Sequence, residues 1–273
     1  MSDSLLALLR WYADMGVDLA VGEEPRDYLA HAGPQAAPVV APASVVPTSP
    51  TAPIPPRQAA SAPSIENLAR DAARAAAAAA TLDELRAELE RFEGCGLKTT
   101  ATQLVFGDGR AGAQVMFVGE APGADEDRQG VPFVGRAGRL LNRMLAAIGL
   151  AREDVYISNI VPWRPPGNRT PSSLETAACL PFTRRQIELV GPQALICLGA
   201  PSAQTLLGIK EGITRARGRW LSYQNGDATI RAMAMLHPAY LLRQPAQKAL
   251  AWRDLRLLAR ELERLRAEQP AGE

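Results

Sequence analysis

The sequence predicts an α/β fold, a parallel sheet covered on both faces by helices, over residues 94–267. Two observations carry this expectation. Short apolar runs alternate with helix-period patterns, and such strand–helix–strand repetition produces parallel strands joined by crossovers. Each run also ends in glycine or a polar residue, and strand carboxyl ends are where a sheet of this kind gathers its functional groups.

In chain order, residues 1–33 read as a small helical segment, because apolar residues recur at helical spacing from Leu5 onward. Residues 34–63 hold nine prolines among Ala, Val, Ser and Thr, with almost no charge before Arg57. That composition sustains neither helix nor ladder and predicts a disordered, semi-extended linker. Residues 64–93 are a helical lead-in: Ser64 caps one helix, and Thr81 with Glu84 makes a capping box for the next, which ends near Phe92. Strands are expected at 115–118, 155–161, 194–198 and 230–236. Helices are expected at 137–148, 172–190, 200–206 and 247–266, with a tail at 268–273. The strand ends Gly119-Glu120, Asn159, Gly199 and His237 then converge on one edge.

Composition narrows the function classes. At 47% apolar and 22% charged, the 273 residues exclude collagenous, coiled-coil and wholly disordered chains. No apolar run approaches the ~18 residues of a spanning helix, and Asp3 before a short apolar stretch argues against a signal peptide, so no membrane and a cytoplasmic location are expected. Cysteines 95, 179 and 197 are too scattered for a disulfide framework and suit a reducing compartment. The net charge of +1 conceals an asymmetry, since residues 1–93 are net −6 and the remainder net +7. Only three of thirty basic residues are lysine, and the planar fork of arginine suits phosphate. A GC-rich genome produces the same bias, so the asymmetry is the better clue.

Three segments carry chemistry. In GEAPGADEDRQGVPFVGRAGRLL (119–141), glycines admit a ligand close to the backbone, and Glu120, Asp125, Glu126 and Asp127 cluster in an otherwise positive domain. A phosphate cradle would reject four carboxylates. They are either a solvated turn or a device that positions water or a cationic transition state. Phe133 is either core or a face for a planar ligand. In SNIVPWRPPGNRTPSSLE (158–175), Asn159 donates and accepts at once, as reading a nucleobase edge requires, unless it caps a turn. Arg164 and Arg169 flank a rigid diproline and suit phosphates. HPAYLLRQP (237–245) holds the domain's histidine, and Leu241, Leu242 and Arg243 would pack on a partner or on an opened base stack.

These segments resemble the signature motifs of the uracil-DNA glycosylase superfamily, most nearly family 4, with GEAPGxxED, PFVGxAGxLL, RPPxNRxP and HPAYLLRxP in order over about residues 94–266. The resemblance implies an α/β/α sandwich around a four-stranded parallel sheet. It also implies a DNA repair monomer that flips uracil out of DNA and hydrolyses its N-glycosidic bond. By the same resemblance Ala121 stands where better-known members carry aspartate, which leaves the catalytic carboxylate to Glu120 as first choice or Glu126 as second. His237 would donate to uracil O2, Phe133 would stack on the ring, and Asn159 would read it, with Gly119 and Ala121 beside them and Asn168 in the diproline loop. Leu241, helped by Arg243, would fill the vacated stack, and Arg164 and Arg169 would hold the backbone.

Family 4 further implies a [4Fe-4S] cluster on four cysteines. Here only Cys95 and Cys179 keep those places, while Phe92 and Trp163 stand at the other two. Two thiolates do not hold four irons, so no cofactor and no metal are expected, and Cys197 reads as core. Two further readings compete. A non-catalytic binder of uracil-containing or abasic DNA would explain the missing cysteines and aspartate. A covalent abasic-site binder of the same superfamily would need a histidine-bearing basic insertion, which residues 164–169 lack. Residues 1–30 are the candidate contact for a protein partner.

Overall fold

The computed structural model describes residues 64–268. The segments 1–33 and 34–63, and all but the first residue of the 268–273 tail, lie outside the described residues. The sheet contains β1 (Val115–Gly119), β2 (Tyr156–Asn159), β3 (Ala194–Leu198), β4 (Trp220–Asn225) and β5 (Ala228–Met235), in the order β2-β1-β3-β5-β4. All neighbours run parallel except β4, which pairs antiparallel with β5 at the edge.

The expectation of four parallel strands therefore holds for the interior and misses β4. The reason is physical. An edge strand half in solvent needs little apolar residue, and Tyr223 is its one buried position. The hairpin turn Gly226-Asp227 joins Asn225 to Ala228, with Gly226 at φ +58°, the left-handed backbone that a two-residue hairpin demands. The Gly226-Asp227 pair is the sequence mark of that turn.

Helices α1 (Ile65–Ala77), α2 (Leu82–Arg91), α3 (Ala124–Gln129), α4 (Arg136–Ala146), α5 (Ser173–Val190), α6 (Ala200–Leu207), α7 (Ile213–Ala216), α8 (Pro238–Arg243) and α9 (Lys248–Glu268) surround the sheet. Every residue of β1, β2 and β3 is buried, and alternate side chains feed two cores. Met116, Val118, Leu195 and Cys197 face α1, α2 and α5; Val115, Phe117, Ile196 and Leu198 face α4 and α9. This is an α/β/α sandwich. The lead-in belongs to it: Leu68, Ala72, Leu85 and Leu89 are buried in the first core, and α1 lies along α5. Ser64 and Thr81 cap their helices as expected, accepting from the N–H of Asn67 and Glu84 at 3.2 Å each. Among the described residues, no helix is long and apolar enough to cross a membrane.

One ion pair fastens the far side of the sandwich. Asp254 of α9 is fully buried and meets Arg217 through two contacts, Arg217 Nε to Oδ2 at 2.7 Å and Nη2 to Oδ1, while Nη2 also donates to the Leu250 carbonyl. Burial pushes the Asp254 pKa up against the pull of Arg217. Removing the carboxylate leaves a mostly buried guanidinium unpaired, so Asp254→Ala is expected to lower the unfolding free energy by about 3 kcal/mol. Equilibrium urea denaturation checks this, and a loss below about 1 kcal/mol, typical of an exposed pair, contradicts it.

Candidate active site

A cleft of about 580 Å³ opens where β1, β3 and β5 end. Glu120 and Gly123 enter it after β1, Gly199 after β3, and Leu236 with His237 after β5; Phe133, Glu126, Tyr240, Arg243 and Asn168 complete the wall and rim. Glu120, Gly199 and His237, three of the four strand ends that the sequence pointed to, meet there; the fourth, Asn159, is buried behind Gly119 and does not line the cleft.

Behind the cleft, the parallel register puts Gly119 opposite Asn159. Asn159 is buried, and its carboxamide lies over Gly119 beside the Phe133 ring. A Cβ at position 119 would come within 2.8 Å of Phe133 Cζ and inside contact of Asn159 Oδ1, so only glycine lets amide and ring meet. Phe133 is itself buried and sits at φ +53°, a left-handed conformation costing about 1–2 kcal/mol for a residue with a side chain. Such strain persists only where the surroundings hold it. The ring also lies against His237, with centroids 5.5 Å apart and planes tilted by 33°.

His237 is held in one tautomer. Its Nδ1 accepts the N–H of Ala239 at 3.1 Å, which leaves the proton on Nε2. Burial, with a smaller push from the Arg243 charge, lowers its pKa to about 4, so the ring is a neutral, fixed N–H donor. Glu120 is its counterpart. Its Oε1 is buried without a hydrogen-bond partner, and burial raises its pKa above the ordinary carboxylate range, partly opposed by the Thr170 hydroxyl.

The acidic cluster is otherwise structural. Glu126 Oε1 accepts from the N–H of Val134 at 2.9 Å and Gly135 at 2.8 Å, and its Oε2 accepts from Gly123 at 3.1 Å. Both oxygens are committed to backbone, so Glu126 braces the loop rather than offering a base. Asp127 accepts from the Thr102 N–H and hydroxyl at 2.8 Å each, and Asp125 pairs with Arg128. Three of the four carboxylates that the sequence left available for chemistry are thus spent on the fold. They lie in and around α3, a helix unseen in the sequence pattern.

Other expected positions shift as well. Leu241 is buried, 1% exposed, in the core with Leu255 and Leu258; its place on the inner side of α8 removes it as a wedge, and half-exposed Leu242 with exposed Arg243 stands at the outer lip instead. Arg169 is engaged bidentately by Glu175 at 2.6 and 2.8 Å, closing the α5 cap, and that contact pulls the Glu175 pKa down to about 2. Its fork is therefore not an open phosphate clamp. Arg164 donates to Asn168 Oδ1 at 2.8 Å, and exposed Asn168, at φ +55°, stands on the rim rather than in the depth. Ala121 packs against the helix-side core. The expected site residues leave out Arg136, Arg139 and Arg143, three exposed residues on one face of α4. None of them is in an ion pair among the described residues. Their spacing of three and four was the signal.

The residues at the family's cluster positions do not fit an iron–sulfur group. Cys95 and Cys179 are buried side by side; contact with the Cys179 thiol lowers the Cys95 pKa, and burial raises that of Cys179. Phe92 packs on Phe182, ring centroids 5.0 Å apart, and Trp163 is buried in the same core. Among the described residues, no three His, Cys, Asp or Glu side chains are grouped to hold a metal.

The fold and cleft together define an α/β/α sandwich with a polar cleft at the carboxyl edge of its sheet. The family model described as "Uracil DNA glycosylase superfamily" matches residues 106–256, and the chain belongs to that superfamily. It is similar to proteins named type-4 uracil-DNA glycosylase. Identity is 41% over 169 residues with that of Archaeoglobus fulgidus (60% of this chain, 85% of the relative). It is 43% over 156 with that of Thermotoga maritima (57% and 80%), and 39% over 180 with that of Saccharolobus solfataricus (64% and 83%).

The histidine carries a direct test. An imidazole NMR titration is expected to find His237 with Nε2 protonated and an apparent pKa of about 4; titration at its ordinary value of about 6.5 contradicts the geometry. The unfolded side chain takes its proton at that ordinary value and the folded one only near 4, so this group subtracts stability as pH falls through that window.

Proposed function

We propose that the protein excises uracil from DNA by hydrolysing the N-glycosidic bond and leaving an abasic site, the starting point of base excision repair. The observation that carries this reading is the pairing, in one cleft, of a neutral imidazole donor at His237 with the unpartnered carboxylate oxygen of Glu120.

Hydrolysis of this bond builds negative charge on uracil O2 and positive charge on the sugar. His237 Nε2–H, fixed before the reaction, donates to O2 at no reorganisation cost. The Glu120 carboxylate stabilises the oxocarbenium and orients the attacking water. To enter the cleft the base leaves the duplex, at a cost of a few kcal/mol. Stacking on Phe133 offsets part of that cost. The Asn159 amide, donor and acceptor together, matches O4 and N3–H of uracil and meets the reversed pattern in cytosine. Leu242 and Arg243 fill the vacated stack, the role first expected of Leu241. Arg136, Arg139, Arg143 and Arg164 bind phosphates. The reaction needs no cluster, and the aromatic packing of Phe92 and Trp163 replaces one. On this reading the protein works in the cytoplasm as a monomer, and the acidic segment 1–30 contacts a protein partner.

A duplex carrying one uracil tests the proposal: the product is an alkali-labile site. His237→Ala and Asn159→Ala are each expected to lower the single-turnover rate by about 100-fold or more with the fold intact. Binding without an alkali-labile site overturns the proposal in favour of a non-catalytic binder, and a product cross-linked to protein in favour of the covalent class. About four irons per chain in anaerobically purified protein overturns the cluster-free reading.

The carboxylate sets the acid limb. Since Glu120 acts ionised and burial raises its pKa, kcat falls on acidification at a pH above that of an ordinary carboxylate, while His237 stays neutral throughout. Glu120→Gln is expected to abolish this limb and slow the reaction across the range. On the DNA face, replacing Arg136, Arg139 and Arg143 by Gln raises KM, leaves kcat in place and flattens the salt dependence of binding by about one unit of log–log slope per arginine.

A further inference from the structure

We propose that Arg152 is a positioning residue for base excision, holding the Phe133 ring at its working distance from Asn159; the inference rests on the function proposed above. Arg152 belongs to the short turn Arg152–Asp154 just before β2 and lies outside the cleft. Its guanidinium nevertheless reaches the loop that carries Phe133. Nη2 donates to the Pro132 carbonyl at 2.6 Å, and Nη1 to the Phe133 carbonyl at 3.0 Å and to Asn142 Oδ1 at 3.1 Å. Its Nε donates to Asp108 Oδ2 at 2.6 Å.

The loop is thus gripped from two sides. Arg152 takes its carbonyls at 132 and 133, and Glu126 takes its amides at 134 and 135. Gly138 closes the third side, since a Cβ there would overlap the Phe133 carbonyl. The gripped residue is the one whose backbone is strained at φ +53°. A planar fork with fixed donor directions suits three carbonyl-type oxygens in a way a single ammonium does not.

The anchor of the clamp is the strand that bears the reader. Asp108 N–H donates to the Ile157 carbonyl at 2.9 Å, and Ile157 N–H returns the bond to Asp108 at 2.8 Å. Ile157 lies two residues before Asn159. One side chain therefore ties the stacking ring and the base-reading amide to the same strand, and a shift of the ring would break its contact with the amide across Gly119. Displacements of this size cost rate rather than DNA affinity, because phosphate contacts lie elsewhere.

A double-mutant cycle on a uracil duplex tests this. Arg152→Gln is expected to lower the saturating single-turnover rate by about 100-fold, with KM for DNA within about twofold of the parent, and Arg152→Lys to recover part of the loss. In the Phe133→Ala background the same substitution is expected to cost less than about threefold, since its effect passes through the ring. Asp108→Asn serves if Arg152→Gln folds poorly; its loss of about tenfold should likewise shrink in the Phe133→Ala background. Additive losses in both cycles, or losses that vanish once rates are corrected for the folded fraction, overturn the clamp and leave the proposed function standing. A parent protein that releases no uracil overturns both.

Discussion

The site depends on one constraint, the parallel pairing of β1 with β2 in the register that sets Gly119 against Asn159. That register sets Gly119, which has no Cβ, beside the buried Asn159. Everything else is arranged around the resulting gap. Phe133 enters it from a loop after α3, and the loop reaches there only because its amides and carbonyls are bound by Glu126 and Arg152. A slip of one residue would turn Asn159 to the opposite face of the sheet and put Ser158 in its place. Ser158 instead sits in a buried network with Gln186 and the Phe106 carbonyl, which makes the alternative register costly as well as useless.

The same burial that shapes the cleft shifts two of its ionisable groups, His237 and Glu120, in opposite directions. Desolvation disfavours charge, so it lowers the pKa of His237 and raises that of Glu120. For the histidine the shift serves the mechanism proposed above, keeping a neutral donor at pH above about 4. For the carboxylate it opposes the chemistry, which needs the ionised form. An anion kept unpaired and partly desolvated is, however, a stronger partner for a developing cation than one already satisfied by protein donors. Glu126, with three backbone N–H groups on its oxygens, shows the satisfied alternative three helical residues into α3. The two glutamates of one motif thus divide labour by what reaches their oxygens.

Much of this was legible in the sequence. Apolar runs and helical periods located the interior strands and the long helices, and the polar residues closing those strands located the cleft, because strand direction alone brings them to one edge. What escaped the sequence depends on contacts between distant residues. The solvent-facing β4 lacks a pattern. Arg169 and Glu126 look free as letters and are occupied in space by Glu175 and by backbone amides. Leu241 and Leu242 are adjacent and equally apolar; only the phase of the six-residue α8 decides that the first is core and the second rim. Arg152 lies in no motif, and its role arises from Pro132, Phe133 and Asp108, none of them near it in sequence.

The departure at the cysteines follows the same logic. A cluster on four thiolates would cross-link the segment before the sheet, the loop after β2 and α5. The described residues join those three parts by packing instead: Phe92 against Phe182, Trp163 and Cys179 within one core, and α1 along α5 through Leu68, Ala72 and Ala76. Burying an aromatic side chain removes a large apolar area from water and asks for no ligand geometry. On the cluster-free reading proposed above, the two retained thiols inside that core are small apolar residues with a mutual contact. Among the described residues α1 and α2 join no other core, and so the aromatic substitution and the alanine-rich surface of α1 belong to one solution of the same fastening problem.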